Sequence, residues 1–297
     1  MHNPDMNFEE SVCWICGGRS LVLVKASNIP NIISPQDFAI TDSNYGTTGD
    51  IYRCEKCGFM QCTRLQDVLS YYERIEDASY EEYRQIRALQ QNKLLLYVRK
   101  IKKFGRLLDI GAGSGILVEQ ALAMGYKAEG VEPSRYLCNK AKELGLSVHL
   151  GKLPHPDVKP PYDVVTMVDV LEHVSNPMKM LEDVKEVLSD DGVGLLVTPD
   201  VGSVMAILMR SKWWHYRIAH IGYFQRSSLI GALDKVGFEP VLFARPGWYF
   251  SGDYLVERLN SYMPGTFHLP VFPILKKITI PLNLFDSLLV IFKKKTK

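Results

Sequence analysis

The sequence predicts an α/β protein: an open, mostly parallel sheet wound with helices, and a small metal-bound unit ahead of it. Three observations predict this. From residue 106 onward, short apolar runs alternate with stretches of helical spacing. A glycine-rich turn, Gly111-Ala112-Gly113-Ser114-Gly115, follows the first of those runs. Upstream stand two identical cysteine pairs, Cys13-x-x-Cys16 and Cys54-x-x-Cys57.

Taken in order, residues 80–103 carry Ile86, Leu89, Leu94, Tyr97, Val98 and Ile101 at helical spacing, which predicts a helix leading into the core. Arg106–Ile110 reads as a buried strand and the glycines as the turn into the next helix. Lys127–Val131 is the second strand, Ser134–Leu144 a helix, Val148–Gly151 and Asp163–Met167 the third and fourth strands. Asn176-Pro177 opens a helix with a favoured cap and first-turn proline. Gly192–Thr198, Glu239–Arg245 and Ser287–Phe292 are the last strands, with a helix over Ser227–Val236. The domain reading is a metal module over 1–70, a helical link over 71–103 and the sheet domain over 104–297, with a cap-like insertion at 246–284.

The chain has 297 residues, enough for a large core and one appended unit. Its 46% hydrophobic and 23% charged residues are ordinary for a folded protein, and a net charge of +2 gives no electrostatic case for nucleic acid. No run reaches the roughly 18 apolar residues of a membrane-spanning helix. Met1-His2-Asn3-Pro4-Asp5 lacks the pattern of a secretory signal. Six cysteines then read as thiols of a reducing compartment, and a cytoplasmic location is expected. Oligomeric state leaves no trace in the sequence.

Each cysteine pair is followed by glycine, whose positive φ lets two thiolates converge on one ion. Thirty-seven residues separate the pairs, enough for a hairpin that sets them side by side. The expected product is a structural zinc held tetrahedrally by Cys13, Cys16, Cys54 and Cys57. A redox C-x-x-C is the rival; it explains one pair and leaves the duplicate unexplained. Cys62 reads as a spare thiol and Cys138 as a buried core residue.

A glycine turn aims helix N-terminal amides at a ligand, and dinucleotide-binding folds use one too. Here the spacing is G-x-G-x-G, and the strand ends in an acid, Asp109. A carboxylate there suits the ammonium of an amino-acid-bearing cofactor better than a pyrophosphate. Glu132, closing the second strand, is placed to accept from both hydroxyls of a ribose.

Residues 105–200 resemble a class I S-adenosylmethionine-dependent methyltransferase. The resemblance rests on Leu107–Gly115, Val131-Glu132-Pro133 and Tyr162–Val174, which ends Leu171-Glu172-His173-Val174 with Asn176-Pro177 after it. That ending, with Trp213-Trp214, His220-Ile221-Gly222-Tyr223-Phe224 and Gly237-Phe238, is similar to the small-molecule, ubiquinone-biosynthesis-like branch. Zinc-knuckle modules like the cysteine pairs occur on longer sugar C-methyltransferases of the same superfamily. The resemblance implies a seven-stranded Rossmann-like sheet and S-adenosylmethionine as cofactor. It implies that Asp109, Gly111, Gly113, Gly115, Glu132, Val168 and Asp169 hold that cofactor, with Lys152 and Leu153 bordering the adenine. Asp169-Val170-Leu171-Glu172 replaces the N-P-P-Y type of signature, which argues against adenine or amide nitrogen as acceptor.

Methyl transfer requires alignment and sometimes removal of one proton. The candidate bases are His173, where a structural hydrogen bond is the competing role, and His220, in an aromatic stretch that suggests a pocket wall. Tyr72 and Tyr80 either cover the cofactor or simply pack. Pro246–Leu284, rich in Tyr, Phe and Pro, has three readings: a substrate cap, a peripheral membrane contact aided by Lys293-Lys294-Lys295, or an insertion packed on itself. The expected function is methyl transfer to a small molecule, with a nucleotide- or lipid-linked sugar or another cell-surface precursor as candidate acceptors. Two other readings stand beside it. One is a zinc-ribbon scaffold whose methyltransferase-like domain binds cofactor without turnover; the other is a zinc unit that guides the enzyme to RNA or protein.

Overall fold

The computed structural model describes residues 12–30, 33–39, 45–63, 65, 68–263 and 268–296. The N-terminal pentapeptide and residues 264–267 of the insertion, both read above, lie outside the described residues.

The cysteine region forms β1 (Leu21–Lys25), β2 (Ile51–Cys54) and β3 (Met60–Cys62). Three helices follow: α1 (Val68–Tyr72), α2 (Ala78–Glu82) and α3 (Arg84–Arg99). The sheet domain then runs β4 (Arg106–Ile110), α4 (Ile116–Ala123), β5 (Lys127–Glu132), α5 (Arg135–Glu143), β6 (Val148–Leu150) and β7 (Tyr162–Val168). It continues with α6 (Pro177–Val187), β8 (Leu188–Pro199), α7 (Val204–Met209), β9 (Gly222–Tyr223), α8 (Arg226–Val236) and β10 (Phe238–Ala244). The insertion holds β11 (Trp248–Ser251), α9 (Gly252–Asn260) and β12 (Thr279–Leu282), and the last strand is β13 (Ser287–Lys294).

Seven strands form the main sheet in the order β10-β13-β8-β7-β4-β5-β6. β4 to β8 pair in parallel, whereas β13 runs antiparallel between β8 and β10. Strand residues alternate between two cores, as the two-residue period of a sheet covered on both faces requires. Leu107, Val164, Leu195 and Leu289 face Leu94, Leu95 and Val98 of α3, Ala121 of α4 and Ala141 of α5. Leu108, Val165, Leu196 and Val290 face Leu181 of α6 and Leu229 and Leu233 of α8. Cys138 is fully buried in the first core, as expected.

The helix expected over 80–103 is broken at Tyr83. Asp77 caps α2 by accepting from the Tyr80 amide, and Tyr83 stands between the two helices, its hydroxyl donating to Asp253 at 3.3 Å. β8 starts four residues earlier than its apolar run, because Leu188 pairs with Tyr162 across a bulge before the polar residues Ser189–Asp191. The 246–284 segment contains a two-stranded sheet, β11 with β12, and β11 packs on α3.

The cysteine region shares a sheet with the second half of the chain. β3 pairs with β9, so the four-stranded sheet β1-β2-β3-β9 ends inside the second half of the chain. Cys13, Ile15, Cys54 and Phe59 share the core that holds Phe224 and Leu229. No helix among the described residues is long and apolar enough to cross a membrane.

Candidate functional site

A cavity of about 550 Å³ opens at the carboxyl ends of the parallel strands, where doubly wound sheets take ligands. Its floor includes Ile110, Gly111, Gly113, Val131, Pro133 and Val168. Gly111 and Gly113 have φ of +72° and +55°, the left-handed region that glycine enters without cost. A Cβ on Gly113 would lie 2.9 Å from the Tyr80 hydroxyl, so the turn is tight as well as strained for other residues. Tyr80 therefore covers the turn, with the Arg87 guanidinium 4.2 Å over its ring. Gly115 stands further back as the residue capping α4; its nearest neighbours are Leu146, Ala141 and Val148.

The two acids at the strand ends are buried. Asp109 accepts from the Thr166 hydroxyl at 2.6 Å. Burial pushes its carboxyl up to about 7; the Thr166 bond opposes this and the charge of Glu132 adds to it. Glu132 accepts from the Gly113 amide at 2.8 Å and the Ser134 amide at 2.7 Å. Burial also lifts this carboxyl to about 7 against those two bonds. Two carboxylates held this reluctantly suit a ligand that brings a cation and hydroxyl donors. Lys152 and Leu153 line the cavity beyond β6. Asp169 lines it with φ +53°, a conformation that aspartate tolerates better than most residues, and burial lifts its carboxyl to about 6.

Both candidate histidines reach the same cavity. His173 Nδ1 donates to the Ala219 carbonyl at 2.8 Å, and burial drives its pKa down to about 4. Its ring meets His220 edge-on at 4.8 Å. His220 is depressed well below the ordinary histidine value by burial and by the charge of His173, and its Nδ1 is buried without a partner. The Glu172 carboxyl lies beside both rings; one atom from each of the three groups falls within 4.8 Å of the others. Burial pushes Glu172 well above the carboxylate range.

Sequence reasoning missed several wall residues. Arg87 and Gln90 come from α3 and Tyr45 from the cysteine region, whereas Tyr249, Phe250 and Tyr254 belong to the insertion for which a substrate cap was one reading. His215 and Asp286 were missed too. Asp286 had a readable signal of one kind: β13 is antiparallel, so its start, not its end, reaches the carboxyl edge, where Ser287 pairs with Pro199.

Away from the cavity, the four paired cysteines bring their sulfurs within 4.8 Å of one another. The Cys13–Cys57 and Cys16–Cys54 sulfurs are both 3.5 Å apart. Those contacts run between the pairs, as four ligands around one centre do. Thiolates about 2.3 Å from a tetrahedral zinc sit roughly 3.8 Å from each other, so the donor set fits that ion.

The sequence profile of the methyltransferase-domain family matches residues 80–242, over half of the chain. The ubiquinone biosynthesis O-methyltransferase of Haemophilus ducreyi is 33% identical over 108 residues, covering 32% of this chain and 46% of that protein. The Vibrio cholerae protein of the same name is 28% identical over 143 residues, 43% of this chain and 55% of its own length. The chain thus spans about half the length of these relatives. A solved S-adenosylmethionine-dependent methyltransferase from Archaeoglobus fulgidus superposes with a TM-score of 0.51 at 18% identity, over 73% of this chain and all of that one. A chain from the complex of the Haloferax volcanii Trm112 methyltransferase activator with a methyltransferase gives 0.53 at 13% identity, over 78% and 99%. These structures share the fold, and the profile match over more than half of its length establishes that the chain belongs to the methyltransferase-domain family.

Proposed function

We propose that the chain transfers the methyl group of S-adenosylmethionine to a small-molecule acceptor. The observation that carries this reading is the buried pair Asp109 and Glu132 at the ends of β4 and β5, around the Gly111–Gly113 turn. Asp109 would take the ammonium end of the cofactor and Glu132 the ribose hydroxyls, with Lys152 and Leu153 at the adenine. When bound, the cofactor supplies a methyl carbon on a sulfonium, whose leaving group needs no proton. The chain's own task is therefore alignment, exclusion of water and the handling of one acceptor proton.

On the acceptor side, Tyr45, Trp214, Tyr249, Phe250 and Tyr254 line the cavity, and such rings stack on flat or cyclic ligands. A nucleotide-linked sugar is one acceptor of this kind. We further infer one structural zinc at Cys13, Cys16, Cys54 and Cys57. Calorimetry tests the reading: the wild-type chain should bind S-adenosylmethionine, and Asp109→Ala or Glu132→Ala should abolish the heat. Unchanged affinity in both variants would refute it, and binding without transfer to any sugar or hydroxylated acceptor would favour the scaffold reading.

A further inference from the structure

His173 and His220 were the expected bases, yet neither is built to take a proton. Burial holds both rings below the ordinary histidine value and Arg217 adds to it, outweighing the Ala219 carbonyl that accepts from His173 Nδ1 and favours its charge. A third histidine on the same cavity wall, His215, is placed differently. Its Nε2 lies 3.3 Å from Asp286 Oδ2, and the Trp213 indole donates to that oxygen at 3.4 Å. Asp286 is 4% exposed and belongs to the loop that leads into β13. The His215 ring stacks on His220 at 5.8 Å and 16°, and Trp213 meets it edge-on at 4.9 Å, so its plane is fixed from two sides.

We propose that His215, oriented by Asp286, is the general base that takes the acceptor's proton, with Asp286 as the positioning residue. The inference rests on the methyl-transfer reading. A buried carboxylate on one ring nitrogen sets the tautomer, keeps the lone pair on the other and stabilises the imidazolium that forms. Nε2–H points to Asp286, which leaves Nδ1 to receive the proton. For a hydroxyl acceptor, the O–H bond breaks and the proton moves to Nδ1. The electron pair on oxygen forms the new O–C bond as the C–S bond of the sulfonium breaks, and that pair stays on sulfur. The imidazolium then gives its proton to water. Burial works against the charge of Asp286, but the bond and charge of His215 and the Trp213 indole outweigh it and hold the carboxyl below its ordinary value. The other charged groups near His215 are Asp169, whose carboxyl feels the His215 charge, together with Arg217 and His220.

The full chain with ring-labelled histidines decides the matter by nuclear magnetic resonance, whatever the natural acceptor. The ring-nitrogen shifts of neutral His215 should show the proton on Nε2 and the lone pair on Nδ1, as the Asp286 contact requires. Asp286→Asn should mix the two tautomers. If neutral His215 carries its proton on Nδ1, or if its ring shifts ignore Asp286→Asn, the assignment is overturned. Transfer from labelled S-adenosylmethionine to 3,4-dihydroxybenzoate, a soluble hydroxyl probe, supplies the second readout. His215→Gln should slow transfer about a hundredfold, with cofactor affinity within twofold and partial rescue by added imidazole. Transfer at the wild-type rate, or a loss that imidazole does not rescue, overturns the base. Absence of cofactor binding in the wild-type chain would instead refute the methyl-transfer reading itself.

Discussion

Lowering the pH from 8 to 6 should weaken S-adenosylmethionine binding by about a hundredfold. The cause is the pair Asp109 and Glu132, both buried and both pushed up to about 7. A carboxyl with a pKa near 7 is about nine-tenths ionised at pH 8 and about one-tenth ionised at pH 6. The ligand's ammonium needs the first acid ionised, and its ribose hydroxyls need an acceptor in the second. Each group thus takes about one decade from the affinity, roughly 2.7 kcal/mol for the two. Because the charge of Glu132 raises Asp109, the two apparent values belong to the pair and the fall is spread over a wider range. Asp109→Asn removes one of the titrating groups, so its residual dependence between these pH values should shrink to about tenfold. Calorimetry at pH 6 in two buffers of different ionisation enthalpy should show nearly two protons released per ligand bound. An affinity that stays flat between pH 6 and 8, or a heat independent of buffer, would refute the reasoning.

The same shifts fix the sign of the stability effect. Both carboxyls have higher pKa values in the folded chain than in the unfolded one, so their contribution is complete below about 4 and is lost as pH rises through about 7. The ligand binds best where these groups stabilise the unliganded chain least, so the rise in Tm on adding S-adenosylmethionine should be larger at pH 8 than at pH 6.

Two further outcomes test other parts of the structure. Metal analysis should find about one zinc per chain, and Cys13→Ser with Cys16→Ser should remove it and expose the amides of β2, β3 and β9 to hydrogen exchange; protection that survives in the metal-free chain would dissociate the ion from that sheet. Gly194→Ala places a Cβ 2.1 Å from the Phe292 ring, its register partner on β13. That overpacking should cost about 3 kcal/mol in urea unfolding, and a change below about 1 kcal/mol would contradict the pairing of β8 with β13.

How much of this was legible in the sequence depended on how local each signal is. The strands of the main sheet could be read because a buried strand is a short apolar run between turn residues, and Asp109 and Glu132 could be read because they close two such runs. The break at Tyr83 could not, because it depends on Asp253, 170 residues away. His215 carries no mark that separates it from its aromatic neighbours; its partner Asp286 comes from the other end of the chain, brought there by an antiparallel strand. Sequence order favoured His220, which sits inside a recognisable stretch, over His215.

β9 is the least legible element and the one that joins the two halves of the protein. It has two residues, and nothing in Gly222-Tyr223 announces a strand. Yet Gln61 pairs with Gly222, the Cys62 amide donates to the Ile221 carbonyl at 2.8 Å, and the Ile221 amide donates to the Glu172 carbonyl at 2.8 Å. Backbone bonds therefore run from β2, which ends in Cys54, through β3 to the segment after His220 and on to the turn that holds Glu172 and His173. An ion bound by the four cysteines would fix β2 and its turn alongside the core they share with Phe224 and Leu229. Through β9, the same ion would set the wall of the cavity where the histidines stand, although it takes no part in the chemistry there.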